Sequence, residues 1–183
     1  MSKILFLHGF LSCGKGQKST LLKAYFGKEK VLTPNLPYAP FEVMPFLESI
    51  FEEESVDLII GSSLGGFYAT LLAEKYSMKA VLLNPSTEPY KTLRIHVGWQ
   101  QRYCDNEVFE FKPIYIDQLK SLKMHSVHGK YLVLLQSGDE VLDYRQAQQF
   151  YDRHRVVVEY GGNHRFENLA DYLCMIKNFK EKR

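Results

Sequence analysis

Six short apolar runs alternate along the chain with stretches in which apolar residues recur every three or four positions. The runs cover residues 4–7, 31–33, 56–60, 80–83, 131–135 and 156–160. Most are continuously apolar, which is typical of strands covered by helices on both faces of a parallel sheet. Helical spacing of the apolar residues predicts amphipathic helices over 64–72 and 166–174. This order predicts an α/β fold with a mainly parallel central sheet of about six strands and helices on both faces.

Two stretches interrupt the alternation. Pro34, Pro37 and Pro40 each fix φ and restrict the preceding residue, so they predict an extended loop after the second strand. Residues 84–128 carry no regular period and contain scattered prolines and aromatic residues, which predicts a small cap inserted in the fold. We expect these aromatic side chains to pack against the sheet more often than they line a pocket.

The length of 183 residues suits one substantial core, so we expect a single domain over 1–183 that contains the cap.

Composition and charge narrow the class of protein. Hydrophobic residues make up 45% of the chain and charged residues 24%, as in a soluble globular protein. Lys and Arg together number 23 against 21 Asp and Glu, and they are spread along the chain, which argues against a nucleic-acid partner. The apolar run 4–7 ends at His8 and Gly9, so it is too short for a signal peptide or a membrane span.

The three cysteines, Cys13, Cys104 and Cys174, are far apart in sequence and lack a C-x-x-C spacing. They predict neither a disulfide framework nor a zinc site. This usage is typical of a reducing compartment, so we expect a cytoplasmic protein.

Candidate chemistry begins with the G-x-S-x-G sequence of residues 61–65, which follows the third predicted strand and leads into a helix. A sharp strand-to-helix turn of this kind exposes the central serine above the sheet, and the glycines allow the turn to be tight. Ser63 is therefore the candidate nucleophile. The alternative interpretation is a Gly- and Ser-rich turn that only caps the helix.

A serine nucleophile needs a histidine base at the carboxyl edge of the sheet. His125, His128 and His154 precede strands and so belong to the opposite edge. His96 lies in the irregular segment. His164, in the turn after the last strand, satisfies both the position and the chain order of serine, acid and histidine.

The acid is expected after the fifth strand, where a carboxylate can orient the imidazole. Asp139 follows the turn glycine there, and Glu140 and Asp143 are near enough to compete. We favour Asp139 over Asp143. Asp57 lies at the amino end of its strand and is therefore assigned to the wrong edge.

Two backbone N–H groups are candidates for the oxyanion hole, which stabilises the charge that develops on the substrate oxygen. Leu64 follows the nucleophile at the start of the helix, and Phe10 lies in the loop after the first strand. His8, in the same loop, is interpreted as a loop-ordering residue.

A competing motif overlaps this loop. Residues Gly9 to Lys15 approximate the spacing of a nucleotide-binding loop, but the next residue is Gly16 where that motif needs Ser or Thr to hold magnesium. A nucleotide-binding protein is thus the weaker alternative. A catalytically silent binding protein on a hydrolase fold is another, because fold alone does not establish activity.

These residues together resemble the bacterial YqiA-like esterases, compact members of the α/β-hydrolase superfamily. The resemblance runs nearly end to end and includes residues 8–10, 61–66, 84–85, 89–90, 138–145 and 161–164. It implies a serine esterase with Ser63 as nucleophile, Asp139 as acid and His164 as base. The first loop departs from the family pattern, with Ser12-Cys13-Gly14-Lys15-Gly16 in place of a serine- and proline-rich stretch.

The sequence therefore predicts hydrolysis of small-molecule acyl esters, or acyl thioesters, through an acyl-enzyme on Ser63. This chemistry requires no metal or cofactor.

Overall fold

Six parallel strands form the central sheet of the computed structural model, which describes residues 2–182. The strands are β1 (Lys3–Leu7), β2 (Val31–Leu32), β3 (Val56–Ser62), β4 (Lys79–Leu83), β7 (Lys130–Gln136) and β8 (Arg155–Glu159). Their order in the sheet is β2-β1-β3-β4-β7-β8. All six predicted strands are confirmed, with small differences at their ends. The carboxyl ends of these parallel strands meet at one edge of the sheet, so the loops that follow them can share a site.

Helices cover both faces of the sheet. They are α1 (Gln17–Phe26), α2 (Pro40–Glu53), α3 (Leu64–Tyr76), α4 (Pro89–Thr92), α5 (Pro113–Ser121), α6 (Tyr144–Phe150) and α7 (Leu173–Glu181). Successive side chains of a strand point to opposite faces. Leu5 and Leu7 of β1 accordingly join the core beneath α2 and α3, whereas Ile4 and Phe6 pack with α1 and α7. Within residues 2–182, no helix is both long enough and apolar enough to span a bilayer.

The segment 84–128 connects β4 to β7. It contains an antiparallel hairpin of β5 (Gly98–Gln101) and β6 (Val108–Phe111), which the sequence pattern did not predict. Phe109 and Phe111 are buried but line a cavity, and Trp99 and Tyr103 are 73% and 75% exposed, so the expectation that these aromatic side chains mainly pack against the sheet is not met. The hairpin lies over the carboxyl edge of the sheet, where Tyr38 stacks on Phe109 with ring centroids 3.8 Å apart.

The predicted helix over 166–174 is wrong at its start. Phe166 has a φ of 53°, residues Leu169–Tyr172 form a 3-10 turn, and the α-helix begins only at Leu173. Phe166, Leu169 and Leu173 are nevertheless buried, while Cys174 is exposed. Apolar periodicity indicates which residues are buried in the core. In this segment a loop and a 3-10 turn, and not a continuous helix, place those residues in the core.

Candidate active site

Ser63 lies in the turn between β3 and α3, with φ of 53° and ψ of −119°. Positive φ is rare for a residue other than glycine, and it persists only where the surroundings hold the backbone. Ser63 N–H donates to the carbonyl oxygen of Leu83 at 3.1 Å. A Cβ on Gly65 would lie 2.1 Å from the carbonyl oxygen of Leu7, so only glycine fits where α3 passes the end of β1. The turn therefore holds the Ser63 hydroxyl at the carboxyl edge of the sheet.

His164 and Asp139 lie beside this hydroxyl. His164 Nε2 is 3.0 Å from Ser63 Oγ, and His164 Nδ1 is 2.8 and 3.0 Å from the two carboxylate oxygens of Asp139. The carboxylate accepts hydrogen bonds only, which assigns the ring proton to Nδ1 and leaves Nε2 as an acceptor for the Ser63 hydroxyl. Asp139 Oδ1 also accepts from the N–H groups of Val141 and Leu142 at 2.9 and 2.8 Å. The structure thus brings the three predicted residues into one hydrogen-bonded chain.

A polar network fixes the loop that carries His164. Gln136 Oε1 accepts from Asn163 N–H at 2.9 Å, and the Asn84 side chain donates to the Asn163 carbonyl oxygen at 3.0 Å. Asn84 Oδ1 in turn accepts from Gln136 N–H at 2.9 Å. Sequence reasoning missed Asn84 and Gln136. Each is a polar residue at the carboxyl end of a buried apolar strand, and this position could have identified both as candidate site residues.

The other acidic candidates have different partners. Glu140 Oε2 accepts from His164 N–H at 2.9 Å, and this bond lowers the pKa of Glu140. Asp143 caps α6 by accepting from the N–H of Arg145 at 3.1 Å. Asp57 lies at the amino end of β3 and accepts from Lys180 Nζ at 2.5 Å. Of these carboxylates, Glu140 touches the His164 backbone and neither Asp143 nor Asp57 bonds to its ring.

His8 lies close to the serine and is buried. Its Nε2 accepts from Leu36 N–H at 3.1 Å, and its Nδ1 lies 2.9 Å from the Gly9 carbonyl oxygen. Burial, opposed by the Gly9 hydrogen bond and aided by the charge of Arg102, lowers the pKa of His8 to about 4. The imidazole is therefore neutral at physiological pH. It joins the loop after β1 to the loop after β2, as its loop-ordering interpretation predicts.

The remaining histidines lie away from Ser63. His125, His128 and His154 line a separate cavity at the amino edge of the sheet. The His96 ring packs against Phe10 at 5.3 Å between centroids.

Two backbone amides border the serine. A Cβ on Gly9 would lie 3.2 Å from Ser63 Cβ and 3.7 Å from its Oγ, so the loop after β1 lies directly against the nucleophile. Leu64 is the first residue of α3. Within residues 2–182, the N–H groups of Phe10 and Leu64 form no hydrogen bond and are free to donate to a substrate.

The loop that resembles a nucleotide-binding motif has a structural explanation. A Cβ on Gly14 would lie 2.0 Å from the carbonyl oxygen of Thr33, and Gly14 N–H donates to Asn35 Oδ1 at 2.8 Å. Glycine is needed here because two loops cross closely. Lys15 is exposed and lies outside the cavities around Ser63.

Cys13 and Cys104 form a disulfide, so the expectation that no cysteine is paired is wrong. The bond joins the loop after β1 to the turn of the β5–β6 hairpin across 91 residues of sequence. Sequence spacing could not reveal the pair, because only the fold of the unpredicted hairpin brings Cys104 to Cys13. The cysteines therefore no longer support a reducing compartment.

Two cavities border the loop after β1, and one of them contains Ser63. The first is apolar, has a volume of about 40 Å³ and is lined by Phe10, Leu64 and residues that include Phe111 and Leu119. The second is an open cleft of about 530 Å³ that contains Ser63 and His164. The first suits a small apolar group, and the second can admit a larger polar one.

Comparisons with known proteins identify relatives over nearly the whole chain. The model of an uncharacterised protein family, UPF0227, matches residues 3–181. The UPF0227 protein YcfP of Salmonella paratyphi A is 26% identical over 188 aligned residues, which cover 97% of this chain and 98% of that protein.

Solved structures share the fold at low sequence identity. Mouse alpha/beta hydrolase domain-containing protein 10 superposes with a TM-score of 0.75 and 18% identity, covering 96% of this chain and 88% of its own. A monoacylglycerol lipase from Paleococcus ferrophilus gives a TM-score of 0.71 and 15% identity, covering 97% and 93%. These likenesses agree with the six-stranded parallel sheet and establish an α/β-hydrolase fold.

Proposed function

This chain belongs to the UPF0227 family, and we propose that it is a serine esterase that hydrolyses small acyl esters or acyl thioesters. The observation that carries the proposal is the hydrogen-bonded chain from Asp139 through His164 to Ser63. Its members come from three loops at the carboxyl edge of the sheet, and the nucleophile occupies a backbone conformation that few serines adopt. Hydrolase names among the structures that share its fold give further support.

The reaction begins when Ser63 Oγ attacks the carbonyl carbon of the ester while its proton passes to His164 Nε2. Asp139 stabilises the imidazolium that forms and holds its Nδ1–H. His164 then gives the proton to the leaving oxygen or sulfur, and the acyl group remains on Ser63. A water molecule, deprotonated by His164, attacks this acyl-enzyme. The bond between Ser63 Oγ and the acyl carbon then breaks, and His164 returns the proton to Ser63 Oγ as the carboxylic acid leaves. Every proton in this cycle moves through His164, so the chemistry needs no metal or cofactor.

The amides of Leu64 and Phe10 act as the oxyanion hole. Both lack a partner within the described chain, and the serine lies between α3 and the loop after β1. A substrate oxygen that accepts both N–H groups gains hydrogen bonds as its negative charge grows in the transition state. The loss of one such donor typically lowers kcat by about a hundredfold to a thousandfold.

These donors also orient the ester. With the carbonyl oxygen towards Leu64 and Phe10, the acyl chain enters the small apolar cavity behind them. The leaving group lies on the His164 side, in the open cleft, because His164 must reach its oxygen. The segment 84–128 acts as the cap of this site, since Phe109 and Phe111 line the acyl cavity.

The size of the acyl cavity sets a preference. A volume of about 40 Å³ holds roughly three water-sized groups, since each needs about 10–15 Å³. We therefore expect acetyl to butyryl esters to react faster than octanoyl esters.

A fluorophosphonate probe tests the nucleophile. Wild type should be labelled and should hydrolyse p-nitrophenyl acetate, whereas Ser63→Ala should lose labelling and at least about a thousandfold in kcat. Ser62→Ala is the matched control, because Ser62 is the neighbouring serine at the end of β3 and lies outside the hydrogen-bonded chain. Equal labelling of Ser63→Ala and wild type would refute the assignment. A wild-type protein that neither labels nor hydrolyses any ester would be a binding protein instead.

A further inference from the structure

Two cations line the open cleft, and neither forms an ion pair with a residue in the range 2–182. Lys18, near the start of α1, is half-buried and lines the cleft together with Ser63 and His164. Arg165 follows His164 directly, is exposed and lines the same cleft. Within the described part of the chain, neither side chain donates a hydrogen bond or lies within 4.0 Å of a carboxylate oxygen. Lys23 of the same helix differs, because its Nζ donates to Thr33 Oγ1 at 2.7 Å.

The acidic residues of the cleft are engaged elsewhere. Glu140 accepts from His164 N–H, and Glu167 accepts from the side-chain amide of Asn163, both at 2.9 Å. Burial and the charge of Arg165 lower the pKa of Lys18, and Glu167 opposes this effect. The Lys18 ammonium is thus partly desolvated beside a like charge, and no described acceptor binds its protons. A bound anion would supply the missing acceptor and offset the repulsion between the two cations.

The position of Lys18 relative to the reaction identifies which part of a substrate it meets. It is absent from the lining of the acyl cavity and present in that of the cleft that holds His164. The proposed mechanism puts the leaving group in this cleft, because His164 protonates the departing atom.

We propose that Lys18, with Arg165 beside it, binds a carboxylate or phosphate on the leaving alcohol or thiol. The preferred substrates are then esters or thioesters whose leaving group is anionic, and Lys18 is a specificity-determining residue. This inference rests on the proposed esterase function.

Three acetyl esters with related leaving groups test the inference. Methyl para-acetoxybenzoate is neutral, whereas para-acetoxybenzoate and para-acetoxyphenyl phosphate are anionic. The quantity measured is the ratio of kcat/KM for each anionic ester to that for the neutral ester. Comparing this ratio between variants removes the intrinsic reactivity of the esters, which is the same for every protein tested.

Lys18→Gln should lower the ratio about tenfold for at least one anionic ester, and Lys18→Arg should restore most of it. Lys15→Gln is the matched control, since it removes the same charge from an exposed residue outside the cleft. Its ratio should equal that of wild type. Added salt should lower the wild-type ratio and leave that of Lys18→Gln nearly constant.

The outcomes separate this inference from the proposed function. If wild type hydrolyses the neutral ester through Ser63 but Lys18→Gln keeps the wild-type ratio for both anions, the inference fails and the esterase function stands. If Lys15→Gln lowers the ratio as much as Lys18→Gln, the effect belongs to net charge and the inference also fails. If wild type hydrolyses none of the three esters, both fail.

Discussion

Replacing Asp139 by asparagine tests the hydrogen-bonded chain at its buried end, where the side chain of Asp139 is 2% exposed. Its Oδ1 accepts from the N–H groups of Val141 and Leu142, while its Oδ2 lies 2.8 Å from His164 Nδ1. Asparagine has one acceptor oxygen, which should keep the two backbone bonds. Its NH₂ group would then face Nδ1 as a donor. The imidazole must carry its proton on Nε2 in response, and it can no longer accept the proton of Ser63.

The magnitude follows from the alternative orientation of the amide. Restoring the active tautomer requires the NH₂ group to face the two backbone N–H groups, which loses two hydrogen bonds at about 1–3 kcal/mol each. The resulting cost of about 2–6 kcal/mol corresponds to a loss of roughly 30-fold to 10⁴-fold in kcat. The equivalent substitution in the serine protease triad lowers kcat by about 10⁴-fold, at the upper end of this range.

Steady-state hydrolysis of p-nitrophenyl acetate measures the effect, with thermal unfolding as the check that the variant is folded. Asp143→Asn is the matched control, because asparagine caps a helix about as well as aspartate and this side chain serves as a cap. It should keep kcat within about twofold. A folded Asp139→Asn variant with more than about one tenth of wild-type kcat would refute the reasoning, as would loss of activity in Asp143→Asn alone.

Three further predictions concern stability and the acyl cavity. The pKa of His8 is lowered to about 4, so the imidazole of the unfolded chain is protonated first as the pH falls below about 6.5. Between pH 7 and 4.5, wild type should therefore lose about 2 kcal/mol of unfolding free energy more than His8→Gln in urea titrations, and equal losses would contradict this. Leu119→Ala should shift the preference towards longer acyl chains at a cost of about 2–5 kcal/mol in stability. Leu72→Ala, equally buried but outside the cavity, should cost a similar amount with no shift in chain-length profile. Dithiothreitol should lower the unfolding free energy of wild type by about 2–4 kcal/mol and leave Cys104→Ser unaffected, and a similar loss in both would exclude the disulfide as the cause.

The strands and the candidate triad could be predicted because each has a local signature. Continuous apolar runs mark strands covered on both faces, and G-x-S-x-G marks the turn that carries Ser63. His164 and Asp139 were then selected by topology, since parallel strands place all following loops at one edge. Asp139 was favoured over Asp143 because it directly follows the turn glycine. The physical difference between them is the direction of the side chain, since Asp139 binds the imidazole and Asp143 caps a helix.

Features that depend on contacts distant in sequence could not be predicted. The Cys13–Cys104 bond requires the β5–β6 hairpin, whose strands are four residues long and lack a regular turn signal. Periodicity placed a helix at Phe166 because it reports burial and not the backbone conformation. Lys18 belongs to no sequence motif. It became a candidate only because its ammonium group has no hydrogen-bond acceptor among the described residues.

The disulfide also has a kinetic consequence, because it is one of several links between the loop that carries Phe10 and the hairpin above it. Phe10 packs on Phe111 at 5.0 Å between ring centroids, and Tyr103 N–H donates to the Leu11 carbonyl oxygen at 2.9 Å. The loop that carries the proposed oxyanion donor and the hairpin that lines the acyl cavity are therefore joined by a disulfide, a backbone hydrogen bond and an aromatic contact. Substitutions in the hairpin should then change kcat and KM together. Selection for a new acyl group cannot change the shape of the hairpin without also moving an oxyanion donor.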